Sequence, residues 1–88
     1  MSNTATGKVS RFYVSEHACR IRLADLPSDD KPADGYFLLP RNHYNYNALY
    51  SLALAAATNR LDLSIRIVAE EIDPRVKSPE IDYMYVDW

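Results

Sequence analysis

The stretch Asn45-Tyr46-Asn47-Ala48-Leu49-Tyr50-Ser51-Leu52-Ala53-Leu54-Ala55-Ala56-Ala57-Thr58-Asn59-Arg60-Leu61-Asp62-Leu63-Ser64-Ile65-Arg66-Ile67 changes its hydrophobic period once. Over residues 46–58 the apolar positions recur every three to four residues. Leu49, Leu52, Ala53 and Ala56 make one stripe, widened by Tyr46, Tyr50 and Leu54, which is the spacing of an amphipathic helix. Over residues 61–68 the pattern alternates, with Leu61, Leu63, Ile65 and Ile67 on one face and Asp62, Ser64 and Arg66 on the other, the spacing of a strand. Asn45 is expected to cap the helix with its side chain, and Asn59 to take the left-handed position that ends it. The alanines let the helix approach whatever it covers closely.

Working outward, residues 8–15 and 17–24 read as strands joined by a tight or bulged bend. In the first, Phe12 and Val14 are expected on one face and Arg11 and Tyr13 on the other; in the second, Cys19, Ile21 and Leu23 are expected inward and Arg20 and Arg22 outward. Residues 25–35 carry Pro27, Pro32, Gly35 and four aspartates and read as a long loop. Residues 36–39 form a short apolar strand ended by Pro40, residues 69–79 hold Pro74 and Pro79 and form a second loop, and residues 81–88 read as a last strand. The expected order is strand, strand, strand, helix, strand, strand. One helix between the third and fourth of five strands is the element order of the OB-fold, so the expected class is mainly β with one helix, an OB-fold-like five-stranded barrel. Residues 1–7 are small and polar and are expected to be a flexible segment before a single domain spanning 8–88.

The chain has 88 residues, 48% of them hydrophobic and 25% charged, which fits one folded domain with one core. Its formal net charge of −2 argues against a general polyanion binder, so nucleic acid is not the expected partner. A single cysteine, Cys19, excludes an intrachain disulfide. No apolar run approaches the ~18 residues of a membrane span. The opening residues lack a basic region followed by an apolar stretch. A chain starting natively at Met1 is thus expected in the cytoplasm, and one whose leader has been removed is expected to be exported.

Catalytic signatures are missing: there is no Gly-rich phosphate loop, no Gly-x-Ser-x-Gly, no His-Glu-x-x-His and no paired-cysteine pattern. Neither catalysis, a cofactor nor a metal is expected. His17 and Cys19 share a strand face, but such positions lie ~7 Å apart, beyond hydrogen-bond reach, so Cys19 reads as core and His17 as a strand-end residue. Asp25, Asp29, Asp30 and Asp34 have no EF-hand spacing and read as a solvated loop. Arg41, Asn42, His43, Tyr44 and Tyr46 make a polar–aromatic cluster suited to a sugar, with rings against its apolar face and Asn and Arg at its hydroxyls or carboxylate. The competing expectation is structural: Tyr44 staples onto Leu49, and Asn42 and Asn45 only cap. Arg11, Tyr13, Arg20 and Arg22 are the candidate set for nucleic acid on the outer face of the first two strands. The last strand is apolar on both faces, with Ile81, Tyr83 and Tyr85 on one side and Met84, Val86 and Trp88 on the other. The second set is expected to be covered by another subunit or by the chain's own loop or helix.

The run Leu49 to Ile67 resembles the helix-to-strand segment of AB5 toxin B-subunits of the subtilase-cytotoxin and typhoid-toxin type, with its Leu-Tyr, alanine-rich helix, Thr-containing turn and alternating strand bearing an arginine. The close, Ile81-Asp82-Tyr83-Met84-Tyr85-Val86-Asp87-Trp88, is similar to the end strand of small bacterial proteins that share this unit. The resemblance implies an OB-fold, assembly into a ring of five and glycan recognition without catalysis. It departs at the disulfide of those subunits, for which this chain has no second cysteine, and no glycan residue is carried over. The expected function is a small non-enzymatic homo-oligomer, a pentamer in the toxin case, that takes a glycan or protein partner. An intracellular adaptor and a single-stranded nucleic-acid binder are its rivals.

Overall fold

The computed structural model describes residues 3–69 and 77–87. Within them the chain forms β1 (Thr4–Val14), β2 (Ala18–Leu23), one 3-10 turn (Ser28–Asp30), β3 (Phe37–Pro40), α1 (Tyr46–Asn59), β4 (Asp62–Ile67) and β5 (Ile81–Tyr85). The strands make one antiparallel sheet in the order β3-β2-β1-β4-β5. Fold class and chain order follow the sequence pattern. The closed barrel does not: the sheet is open, and its edge strands meet at one parallel bridge, Leu38 with Glu80, where the Leu38 N–H donates to Pro79 O at 2.9 Å. The reason is local. β3 has four residues and ends at Pro40, which has no N–H to donate, so a longer ladder has no room.

β1 begins at Thr4, so most of the segment expected to be flexible is paired. Thr4–Lys8 lie against Arg66–Asp62 of β4, and the rest of the strand turns to β2. The inward residues here are Ala5 and Gly7, too small to give an apolar signal, yet Ala5 is only 1% exposed. Gly7 has a specific reason: a Cβ there would stand 2.8 Å from the Ala24 carbonyl oxygen, where the chain leaving β2 passes it. An extra residue on β1 between Val9 and Arg11 then shifts the register, which brings both Val9 and Phe12 to the core. Val14, expected beside Phe12, lies past the end of the core and is exposed.

The core takes Cys19, Ile21 and Leu23 from β2, Phe37 and Leu39 from β3, and Leu63, Ile65 and Ile67 from β4. α1 packs on β1, β4 and β5 through Leu49, Ala53 and Ala56, with Leu52, Tyr46 and Tyr50 half-buried; Leu54, expected in this stripe, faces solvent. The expected caps change hands. Asn45 makes no side-chain cap; its N–H donates to His43 Nδ1 at 3.0 Å. Tyr44 is 96% exposed, so it does not staple onto Leu49. At the other end Asn59 stays helical and donates its amide to Ala55 O, while Arg60 takes the left-handed position at φ 55°. Arg60 and Leu61 N–H then reach Ala57 and Ala56 O, the paired bonds of a Schellman motif.

β5 also carries an extra residue. Arg66 faces Tyr83 while Ile67 faces Ile81, leaving Asp82 unmatched. The bulge reverses the expected faces: Ile81 and Met84 are buried together in the chain's own core, Val86 packs against it, and Tyr83 and Tyr85 point out. Met84 is therefore covered by the chain itself, and Val86 is covered in part. Trp88, and Pro74 in the loop before β5, lie outside the described residues.

Candidate functional site

The pairing of β2 with both β1 and β3 assembles the arginine set into one patch. Arg11 stands opposite Arg22, Tyr13 opposite Arg20, and Arg20 opposite Leu38. Tyr36, just before β3, completes it. The Arg22 guanidinium lies over the Tyr36 ring at 4.6 Å, Arg11 Nη1 donates to the Tyr36 hydroxyl at 3.3 Å, and the Tyr13 and Tyr36 rings meet edge to face at 6.3 Å. Such guanidinium–ring packing holds a cation in a fixed place while leaving its N–H edge for a partner. Among the described residues the ion pairs are Lys8 with Asp62 and His17 with Glu16, and none of the three arginines enters either. Like charges directly across an antiparallel pair repel, so Arg11 and Arg22 carry a cost that an anion between them would relieve.

The loop before β3 positions Tyr36. Asp34 Oδ1 accepts the Tyr36 N–H at 2.9 Å, Asp34 Oδ2 accepts from the Ser78 hydroxyl, and Asp34 N–H donates to Lys77 O at 3.3 Å. Gly35 has φ +85°, and a Cβ on it would meet the Arg22 guanidinium at 3.2 Å. A side chain here would thus push Arg22 off the ring. Beside the patch, an open cleft of about 760 Å³ runs between the 25–35 segment, Ser10 in the middle of β1 and the end of β2, sharing Arg22 with the patch. Tyr36 is the member that sequence reasoning missed. Its pairing with the arginines depends on the register of β3 against β2, and the only sequence signal was its alternation with Leu38.

Part of the second candidate set is engaged in the fold itself. His43 Nδ1 accepts the Asn45 N–H, His43 Nε2 lies 3.2 Å from Asp82 O, and its ring stacks on Tyr44 at 5.1 Å. Arg41 Nη1 reaches Glu16 O, at 3.4 Å. Tyr46 leans inward, its hydroxyl 3.0 Å from Cys19 Sγ, and its pKa is pushed up to about 12 by that hydrogen bond first and by burial second. Arg41, His43, Tyr44 and Tyr46 line one open depression of about 390 Å³, and Arg41 and Asn42 another, of about 490 Å³, with His17. The set is together in space, with Tyr46 turned to Cys19 and Tyr44 stacked on His43 but exposed to solvent.

Cys19 is fully buried and bonded to Tyr46, and His17 is exposed, so the two do not form a thiol–imidazole pair. Among the described residues, no three His, Cys, Asp or Glu side chains converge as a metal site would require, and no helix is long and apolar enough to cross a membrane. On the outer face of β4 and β5, Tyr83 and Tyr85 lie with centroids 6.4 Å apart, with Arg66 over Tyr83 at 5.7 Å. Compared with protein-family models, curated proteins and solved structures, the chain has no significant match.

Proposed function

We propose that the chain is a small non-enzymatic binding module on an OB-fold-like barrel, and that it takes a negatively charged ligand on the outer face of β1, β2 and β3. The barrel reading is supported by the parallel contact of Leu38 with Glu80, which brings the two sheet edges together, and by β1 serving both halves of the sheet. One observation carries the ligand reading: Arg11, Arg20 and Arg22 are gathered around Tyr13 and Tyr36 with no ion pair among the described residues. A net charge of −2 hides this patch, because charge summed over a chain says nothing of its placement. The test is calorimetric titration with tripolyphosphate and a sulfated oligosaccharide, in the parent and in R20E/R22E. Saturable binding lost in the variant supports the site; no binding, or binding that the variant leaves intact, refutes it.

A second reading is favoured by its own observation. Tyr83 and Tyr85 are 45% and 41% exposed on one face of β5, and Val68 nearby is 63% exposed. Tyrosine is enriched in the cores of protein interfaces. A homo-oligomer, pentameric as in the toxin subunits that the helix–strand unit resembles, would cover this face. Light scattering decides it: a monomer of 10.1 kDa at high concentration rules out assembly.

A further inference from the structure

We infer that the ligand of the β1–β3 face is single-stranded nucleic acid, held by its phosphates on the arginines and by its bases on the tyrosines. This rests on the anion-site reading above and names its substrate class. The first ground is the donor–acceptor balance of the patch. Arg11, Arg20 and Arg22 offer only donors, Leu38 offers neither, and the acceptors are the hydroxyls of Tyr13 and Tyr36, of which Tyr36 already accepts from Arg11. A phosphodiester oxygen is an acceptor only and matches such a surface. A sugar hydroxyl needs acceptors as well as donors and would find few.

The second ground is spacing. The patch forms cross-strand rows, Arg11–Arg22–Tyr36 and then Tyr13–Arg20–Leu38. Same-face residues on a strand recur at about 6.6–7 Å, a step comparable to that between nucleotides in an extended single strand. The first row sets the Arg22 guanidinium over the Tyr36 ring, and the second pairs Tyr13 with Arg20 across the strands, so each row carries an arginine and a tyrosine for the phosphate and base of one nucleotide. Tyr13 is 49% exposed and offers a free face for stacking, which tolerates any base. A duplex keeps its bases inside and could use only the arginines.

The test is fluorescence anisotropy with a short labelled oligothymidylate, its duplex with the complementary strand, and a sulfated oligosaccharide as competitor, over a series of salt concentrations. The single strand is expected to bind more tightly than the duplex, with log K falling against log salt at a slope of about −2, roughly −0.7 for each of three phosphates. R20E/R22E is expected to weaken binding more than tenfold. Tyr13→Ala is expected to weaken it about fivefold or more, with the salt slope unchanged, because it removes stacking and no charge. Circular dichroism of each variant checks that the sheet is intact. If the sulfated oligosaccharide binds in an R20E/R22E-sensitive way and the oligonucleotide does not, the nucleic-acid assignment is overturned while the anion site stands. Preference for the duplex, or insensitivity to Tyr13→Ala, also overturns it. If neither probe binds, both readings fall.

Discussion

Gly7→Ala is a substitution whose sign the structure reverses. A glycine inside a strand costs about 0.5–1 kcal/mol relative to alanine, so on the strand alone the change should stabilise. Here the new Cβ would stand 2.8 Å from the Ala24 carbonyl oxygen, with Leu23 Cβ at 3.5 Å on its other side. To reach an ordinary contact, the chain must open by roughly half an ångström. Ala24 is not free to yield, because its N–H donates to Lys8 O at 2.8 Å, next to Gly7 itself. Forcing one extra carbon into such a place costs about 1–3 kcal/mol. Because the obstacle is a backbone oxygen rather than a flexible side chain, the cost falls in the upper part of that range, about 2–3 kcal/mol, and less the gain in propensity the net is a loss of about 1–2.5 kcal/mol. Urea unfolding followed by circular dichroism should show the midpoint falling with the slope unchanged, and a thermal scan should show Tm lower by roughly 5–15 °C for a domain of this size. A variant as stable as the parent, or more so, would refute the close crossing of β1 by the chain leaving β2, and with it the bent, shared β1 on which the barrel reading depends.

Arg60→Gly works the other way. Arg60 holds φ 55° at the end of α1, a conformation that costs a residue with a Cβ about 1 kcal/mol or more, partly offset by glycine's greater freedom in the unfolded chain. A gain of about 0.5–1 kcal/mol in urea unfolding is expected, and a loss would show that the Arg60 side chain stabilises the fold. Tyr46 gives a pH test. Its pKa in the fold, about 12, is above the value of ~10 in the unfolded chain, so its contribution is complete below pH ~10 and is lost as pH rises from there through 12. Tyr46→Phe should lack that part of the alkaline decline, and an identical pH profile for parent and variant would contradict the Cys19–Tyr46 bond. Gly35→Ala should displace the Arg22 guanidinium from Tyr36, and an anion affinity equal to the parent's would show that this packing does not organise the site.

Much of the element list was legible because periodicity is a local property. The helix at Tyr46–Asn59 and the strand at Asp62–Ile67 follow from the spacing of Leu49, Ala53, Ala56, Leu63, Ile65 and Ile67 alone. The patch was half legible. Arg11, Tyr13, Arg20 and Arg22 alternate outward in the sequence, but Tyr36 joins them only through the pairing of β3 with β2. The cluster at residues 41–46 was legible as a group, but that Tyr46 turns to Cys19 and His43 to the Asp82 carbonyl depends on contacts distant in the chain.

The sequence by itself determined the class, the single core and the order of elements, because burial on one face writes its period into neighbouring residues. Only the tertiary structure decided the rest. Two inserted residues, at Val9–Arg11 and at Asp82, reset which side chains face the core, and a bulge leaves no mark on local hydrophobicity. That is why Met84 lies inside and Tyr83 and Tyr85 outside. The start of β1 was hidden because Ala5 and Gly7 are small, and they are small because other chain segments come close to them. Where the sheet stops short of closing was decided by the four-residue length of β3, and strand length and pairing partner are properties of the assembled sheet.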